Sequence, residues 1–410
     1  MRAQPSLFLA AAVLIGSAGT AAAQISSLDY PQWRGQNRDG QASAFAEPTS
    51  WPENLTRKWK IDVGQGYATP LVIGNTVYCF TRRDGSEVIT AVDAATGAVV
   101  WQTGYQAAYT PGSPATAHGA GPKATPLFHL RKLYTLGISG IVSAFDARTG
   151  RLMWQKAAPR EHPFYGAAVS PLGFEGLVIV HPGNYGPLTA FDANTGDIKW
   201  TTPNTDGVFA SPIIVDLDGV RQVVSMTQRT IAGVSVADGA LLWQHPWVSA
   251  ATPSAITPIS YEDKIIVSGQ AMGVTALKPT SRDGKWVVDV VWETKDVSMF
   301  LSNPVLIRDT LFGLSERASG QFFALDARTG KVLWLGQPRE GMNAAVVKAG
   351  ELLVFLQDDA ELIIAKSNQM RFEPLKRYVV ADSATWAQPT ISGNRLFVKD
   401  VSSLALWVLD

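Results

Sequence analysis

From residue 55 onward, apolar residues either alternate with polar ones or form short uninterrupted runs, and Gly-Asn, Thr-Gly and Asp-Gly pairs separate the runs. This is the patterning of half-buried and fully buried β-strands. Helical caps followed by apolar positions spaced three and four apart are absent, so an α/β organisation is excluded and an all-β chain is predicted. Residues 68–73 and 76–80 show the unit of the pattern: two strand-like runs joined by Gly74-Asn75, a pair that tolerates the positive φ of a tight hairpin.

A longer motif recurs over these runs. Ala91-Val92-Asp93-Ala94-Ala95-Thr96-Gly97 leads to Trp101, Ala144-Phe145-Asp146-Ala147-Arg148-Thr149-Gly150 to Trp154, and Ala190-Phe191-Asp192-Ala193-Asn194-Thr195-Gly196 to Trp200. Ala324-Leu325-Asp326-Ala327-Arg328-Thr329-Gly330 leads to Trp334, and looser copies end at Trp243 and at Trp292, the latter after an insertion over residues 278–286. Successive tryptophans from Trp101 to Trp334 lie 53, 46, 43, 49 and 42 residues apart, the spacing of a four-stranded propeller blade. In each unit of strands A to D, the Asp and Thr-Gly fall in the C-to-D turn, where Asp accepts backbone hydrogen bonds and Gly takes a left-handed conformation.

Units begin near Thr69, Thr125, Val169, Ser211, Thr252, Asn303, Ala344 and Gln388. The prediction is an eight-bladed β-propeller of four-stranded antiparallel blades, with seven blades the main alternative, because the unit over 344–380 lacks both Thr-Gly and Trp. The final unit stops one strand short, and the alternating segment 55–63 is expected to supply that strand, closing the ring and removing an open edge. Trp101, Trp154, Trp200, Trp243, Trp292 and Trp334 are therefore read as packing elements between blades and not as a sugar-binding platform.

Composition narrows the function. The 410 residues carry 35 basic and 35 acidic side chains, so no global field favours nucleic acid or an anionic membrane. Arg2, an apolar run over 7–15 and Ala21-Ala22-Ala23 before Gln24 read as a signal peptide over 1–23, followed by an N-terminal extension over 24–54 and a single propeller domain over 55–410. The expected product is exported, periplasmic or secreted, soluble and monomeric. It is expected not to be a lipoprotein, since no cysteine stands at the cleavage point. The single cysteine, Cys79, lies in an apolar run and is read as inert core.

The repeat resembles the tryptophan-docking repeat of the PQQ-like (pyrroloquinoline quinone) propellers, which include quinoprotein alcohol dehydrogenases and the outer-membrane assembly scaffold of Gram-negative bacteria. Pro31-Gln32-Trp33-Arg34-Gly35-Gln36-Asn37-Arg38-Asp39-Gly40 resembles the N-terminal signature of exported bacterial PQQ-like repeat proteins. For the dehydrogenases the resemblance implies PQQ held with calcium or a lanthanide, a disulfide of adjacent cysteines against the cofactor, and a catalytic Asp. One cysteine cannot form that disulfide, no Cys-x-x-Cys-His haem site is present, and no local motif matches the metal ligands or the base. No cofactor is therefore expected, PQQ with calcium being the alternative that the resemblance implies.

In a propeller, residues just before the A strands converge on one mouth of the central funnel. Here these are Tyr67, Lys123, Tyr165, Phe209, Asn303, Asn343 and Trp386, a set of aromatics, amides and one cation suited to a planar polar ligand or an extended peptide. The simpler reading is that they plug the channel or solvate its rim. The connection over 104–121 carries Tyr105, Tyr109 and His118 and is long enough for a functional loop. Glu161, His162 and His181 match no familiar metal spacing, and surface hydrogen bonding is expected of them. Asp358-Asp359 reads as a solvated turn. No Gly-x-Ser-x-Gly elbow, Walker loop or His-Glu-x-x-His is present. The favoured function is a non-catalytic binding or scaffold protein for a peptide, protein or small polar molecule. A PQQ-dependent oxidoreductase and an outer-membrane assembly scaffold are the alternatives.

Overall fold

The computed structural model describes residues 25–410 apart from 43, 159–162, 184 and 250–253. The signal segment expected over 1–23, and Glu161 with His162, lie outside the described residues. Among the described residues the strands form eight sheets, seven of four strands and one of five. The chain is thus an eight-bladed β-propeller, and the seven-blade alternative falls.

Blade 1 sets the pattern, with strands Leu71–Ile73, Thr76–Arg83, Ser86–Asp93 and Val99–Gln106 paired in chain order as A to D. Blades 2 to 7 repeat it from A strands Leu127–His129, Leu172–Phe174, Ile213–Leu217, Ile259–Tyr261, Val305–Ile307 and Ala344–Ala349. Blade 8 takes Thr390–Ser392, Arg395–Lys399 and Ser403–Val408 from the C-terminus and its D strand, Thr56–Asp62, from the other end of the chain. Trp59 stands opposite Leu406 in that closing pair.

The fifth A strand begins at Ile259 and not near Thr252. Two Thr-Pro pairs precede this blade, Thr252-Pro253 and Thr257-Pro258, and the second opens the strand. Proline is tolerated there because a strand's first residue need not donate to the ladder.

Every C-to-D pairing carries a β-bulge. In blade 1, Ala91 faces Trp101 and Val92 faces Val99, so Val100 is left over. The extra residue kinks the strand and re-aims the side chain that follows it. In most blades the re-aimed residue is the tryptophan, which lies over the C-to-D turn of the next blade. Trp154, Trp200 and Trp292 donate their indole N–H to the carbonyls of Ala193, Val236 and Ala327, at 3.2, 3.0 and 3.0 Å.

Trp59 does the same across the closure, donating to the Ala94 carbonyl at 3.1 Å. A Cβ on Gly97 would stand 2.9 Å from its ring, and Gly97 has φ +76°. Glycine is needed there for both its left-handed backbone and its lack of bulk.

Two blades depart from the rule. Blade 5 replaces the Thr-Gly turn with a long hairpin of Gly273–Arg282 and Lys285–Thr294, and Trp243 then bonds Gln222 Oε1 within its own blade at 2.7 Å. Blade 7 lacks Thr-Gly, yet Trp334 still finds a carbonyl, that of Asn368, at 2.8 Å.

The innermost ring is tied by short side chains at the A-strand entrances. The Thr69 amide donates to Thr125 Oγ1 (3.2 Å), the Thr125 amide to Ser170 Oγ (2.9 Å) and the Ser170 amide to Ser211 Oγ (2.9 Å). Cys79 is buried, and burial pushes its thiol up to about 12, so it is no nucleophile. No helix among the described residues is long and apolar enough to cross a membrane.

If indole docking closes the ring, Trp59→Ala should lower the unfolding free energy by about 3 kcal/mol. Gly97→Val should destabilise comparably, while exposed Lys58→Ala should change little. Urea midpoints of the three variants check this.

Candidate functional site

The segment before the first blade does not hang outside the ring. It enters at the A-to-B turns, where Asp29 Oδ1 accepts the Gly74 amide at 2.7 Å, and Tyr30 then exchanges backbone hydrogen bonds with Val72 of blade 1. The Pro31 carbonyl accepts from Phe128 of blade 2 and the Gly40 carbonyl from Lys348 of blade 7. Arg38 reaches the carbonyls of Ser170 and Pro171 at the entrance of blade 3, and Arg34 that of Pro304 at blade 6. Trp33 Nε1 donates to Thr257 Oγ1 at blade 5 (2.9 Å), and the Tyr30 hydroxyl accepts from Gln388 Nε2 at blade 8 (2.8 Å). Residues 41–42 add a short parallel strand to the A strand of blade 7. Residues 30–42 therefore fill the channel and touch blades all around it.

What remains open is the opposite mouth, formed by the D-to-A and B-to-C connections. A depression of about 30 Å³ lies there, room for one or two waters, and its lining includes Trp33, Leu301, Asn303, Asn343, Trp386 and Gln388. Asn303 Oδ1 accepts the Thr257 amide (2.7 Å), Asn343 Oδ1 accepts Ser302 Oγ–H (2.9 Å), and the Asn343 amide donates to Asp358 Oδ1 (3.3 Å). Asp359 turns away and accepts the Glu361 amide, so the two acids do not act as a pair.

Tyr67 and Trp386 are joined through His118, whose ring meets Trp386 edge-on at 4.7 Å and Tyr67 at 6.2 Å. Burial and the nearby Lys123 hold the His118 imidazole below its ordinary value, so it is neutral at pH 7. Lys123 Nζ donates to the Tyr165 carbonyl at 2.7 Å, and burial lowers its ammonium to about 8. Tyr165 continues into an edge-to-face chain with Phe164 (4.9 Å) and Phe209 (5.8 Å), and Tyr185 closes on Phe209 at 5.6 Å.

Trp33, Gln388, His118 and Asp358 therefore join the seven mouth residues that the A-strand rule selects. Trp33 escaped that rule because it reaches the mouth from below, on the plug; its signal in the sequence is the signature-like stretch Pro31 to Gly40 that carries it.

Three details differ from expectation. Tyr105 belongs to the D strand of blade 1, which runs to Gln106, and its hydroxyl bonds the buried carboxyl of Glu87 at 2.7 Å. The loop proper, 107–121, folds over the mouth, with Gly112 packed on Phe164 and His118 on Trp386. His181 is not a surface residue. It is buried, donates from Nδ1 to the Gly186 carbonyl (2.9 Å) and accepts at Nε2 from the Ser225 hydroxyl (2.7 Å), and burial lowers it to about 4, making it a neutral inter-blade link.

The fold class is that of the PQQ-like propellers, so a calcium-bound PQQ is the group it implies. A planar tricarboxylate and its cation require a slot and free oxygen donors. The depression is far smaller than such a molecule, Trp33 forms part of its wall, and the oxygens of Asn303 and Asn343 are already engaged. No three His, Cys, Asp or Glu side chains converge among the described residues. The residues present do not fit that group.

Comparison with known proteins agrees with the class and refines it. The family model described as outer membrane protein assembly factor BamB matches residues 56–161 and 84–336, and the chain belongs to that family. BamB of Yersinia pestis is 24% identical over 322 residues, covering 76% of this chain and 67% of that protein. The dehydrogenase subunit of the quinone alcohol dehydrogenase of Komagataeibacter europaeus is 31% identical over 172 residues, 37% of this chain and 22% of that protein. The crystal structure of BamB from Moraxella catarrhalis superposes with a TM-score of 0.63 at 18% identity, over 86% of this chain and 97% of that one. The quinohemoprotein alcohol dehydrogenase of Comamonas testosteroni superposes at 0.66 and 13% identity, over 93% and 80%.

Lys123 supplies a test of the mouth's burial. Its lowered ammonium means that the unfolded chain binds the extra proton between about pH 8 and the ordinary lysine range, so stability rises with pH across that window. The stability of wild type relative to Lys123→Met should therefore increase from pH 7.5 to about pH 10. Parallel urea-midpoint curves for the two proteins would contradict the burial.

Proposed function

We propose that this chain is a non-catalytic binding scaffold, exported to the periplasm, that takes a polypeptide at the open mouth of a plugged propeller. One observation carries the reading: with residues 30–42 filling the channel, the described residues of the opposite mouth form a shallow concavity walled by amides and aromatic edges. Around it the D-to-A connections expose Phe164, Val248, Leu301 and Met342, the last at 81%. An apolar rim around a small polar recess is suited to a protein or peptide surface. The family's description names an outer membrane assembly factor, which supports a partner among envelope proteins during their assembly. Small polar ligands fit the recess less well than a side chain presented on a larger partner.

The test places a photo-crosslinking amino acid at Met342, and separately at Leu28 on the plugged side, in the full exported chain. Polypeptide adducts should form several-fold more from position 342 and should fall when Trp386→Ala is added. Equal yields from both positions, or yields blind to Trp386, would remove the mouth from consideration.

The local 31% identity to a quinone alcohol dehydrogenase subunit supports a second reading, an oxidoreductase acting with PQQ. Purified chain incubated with PQQ and calcium should show neither stoichiometric quinone absorbance nor dye-linked alcohol oxidation. Turnover would replace the scaffold reading with this one.

A further inference from the structure

Two guanidinium groups sit in the middle of the ring with no carboxylate in contact; Asp39 acts on Arg34 from a distance, and nothing negative acts on Arg38. Arg34 is 2% exposed and Arg38 5%. Arg34 donates from Nε to the Arg38 carbonyl (3.3 Å) and from Nη2 to the carbonyls of Asp39 (3.1 Å) and Pro304 (2.5 Å). Arg38 donates from Nη1 to Gln32 Oε1 (3.1 Å) and the Pro171 carbonyl (2.8 Å), and from Nη2 to the Ser170 carbonyl (3.1 Å). Every one of these acceptors is neutral. The plug's own carboxylates are engaged elsewhere: Asp29 accepts the amides of Ser26 and Gly74, and Asp39 that of Gln41. Among the described residues no carboxylate comes within 4.0 Å of either arginine's nitrogens.

Arg34 Nη1 and Arg38 Nε are moreover buried with no hydrogen-bond acceptor at all. An unpaired buried donor is costly, and one that belongs to a buried charge is more so. A lysine in this position would shed its proton. Arginine stays charged at neutral pH even though burial lowers these two to about 10 and about 9. A water molecule would accept a hydrogen bond but leave the Arg38 charge uncompensated and beside the like charge of Arg34.

We propose that the plug holds one small anion of halide size, bound by the unmet N–H groups of Arg34 and Arg38. The plug is packed tightly beside Arg34, where a Cβ on Gly40 would stand 2.7 Å from Val305 Cγ1 and 2.9 Å from Arg34 Nη2, and a small ion is proposed for that reason. Because Arg38 is anchored on blade 3 and Arg34 on blade 6, the ion stabilises the contact of the plug with both sides of the ring. It binds the folded chain alone and so raises stability by mass action.

The full mature chain, prepared in sodium gluconate, is titrated with sodium bromide at constant ionic strength while thermal unfolding is followed. A saturable rise of several degrees is expected, lost in Arg38→Gln. Crystals of the wild type soaked in bromide should show an anomalous peak within hydrogen-bond reach of Arg34 Nη1 and Arg38 Nε. This second arm decides the matter even if the variant does not fold. Bromide found only at surface sites, or a melting temperature that follows total salt without saturating, would overturn the proposal.

Discussion

A propeller blade has two apolar faces and can bury neither by itself, so each sheet depends on the sheet before it and the sheet after it. The contact that meets this need is an indole laid across a glycine turn, with its N–H spent on a carbonyl of the neighbouring blade. The bulge in each D strand is what aims the side chain out of its own sheet. A linear row of such contacts would leave the first blade's turn uncovered and the last blade short of a strand. Trp59 resolves both deficits at once, because the strand that carries it completes blade 8 while its ring covers Gly97 of blade 1. The fold is therefore cooperative between residues almost 350 positions apart, Trp59 and Leu406.

Closing the ring creates an axis that eight short A strands cannot fill alone. The segment around Trp33 fills it from one side with hydrogen bonds to strands that have no other inner partner. That arrangement gives the molecule its polarity: one sealed end, and one mouth with a shallow recess and an apolar rim. The same filling bears on the likeness to quinone dehydrogenases, which extends to 31% identity over 172 residues in one relative. The volume that a planar cofactor would need is held by the plug and by amides that bond one another's blades.

Much of this was readable in advance, and particular residues show where reading stopped. The period followed from repeated Asp and Thr-Gly positions, because a turn needing positive φ tolerates few residue types, and the blade count and closure from the A-strand starts and the alternating segment 55–63. Thr252 was a false start, since a second Thr-Pro five residues on served the strand equally well by local criteria. Trp243 looked like its repeats but found no turn to cover, because the hairpin of blade 5 had displaced it. His181 has the composition of a surface residue and becomes a buried link because blades 3 and 4 close around it.

By itself the sequence determined the period, most of the strands and turns, and the entrances of all A strands but the fifth, all of which depend on neighbours in the chain. Only the tertiary structure decided that residues 30–42 occupy the axis, that Trp33 borders the recess, and that two arginines are buried face to neutral carbonyls. Those outcomes rest on contacts between residues as far apart as Tyr30 and Gln388. No local pattern of polarity encodes which distant carbonyl a polar segment will meet once the ring has closed.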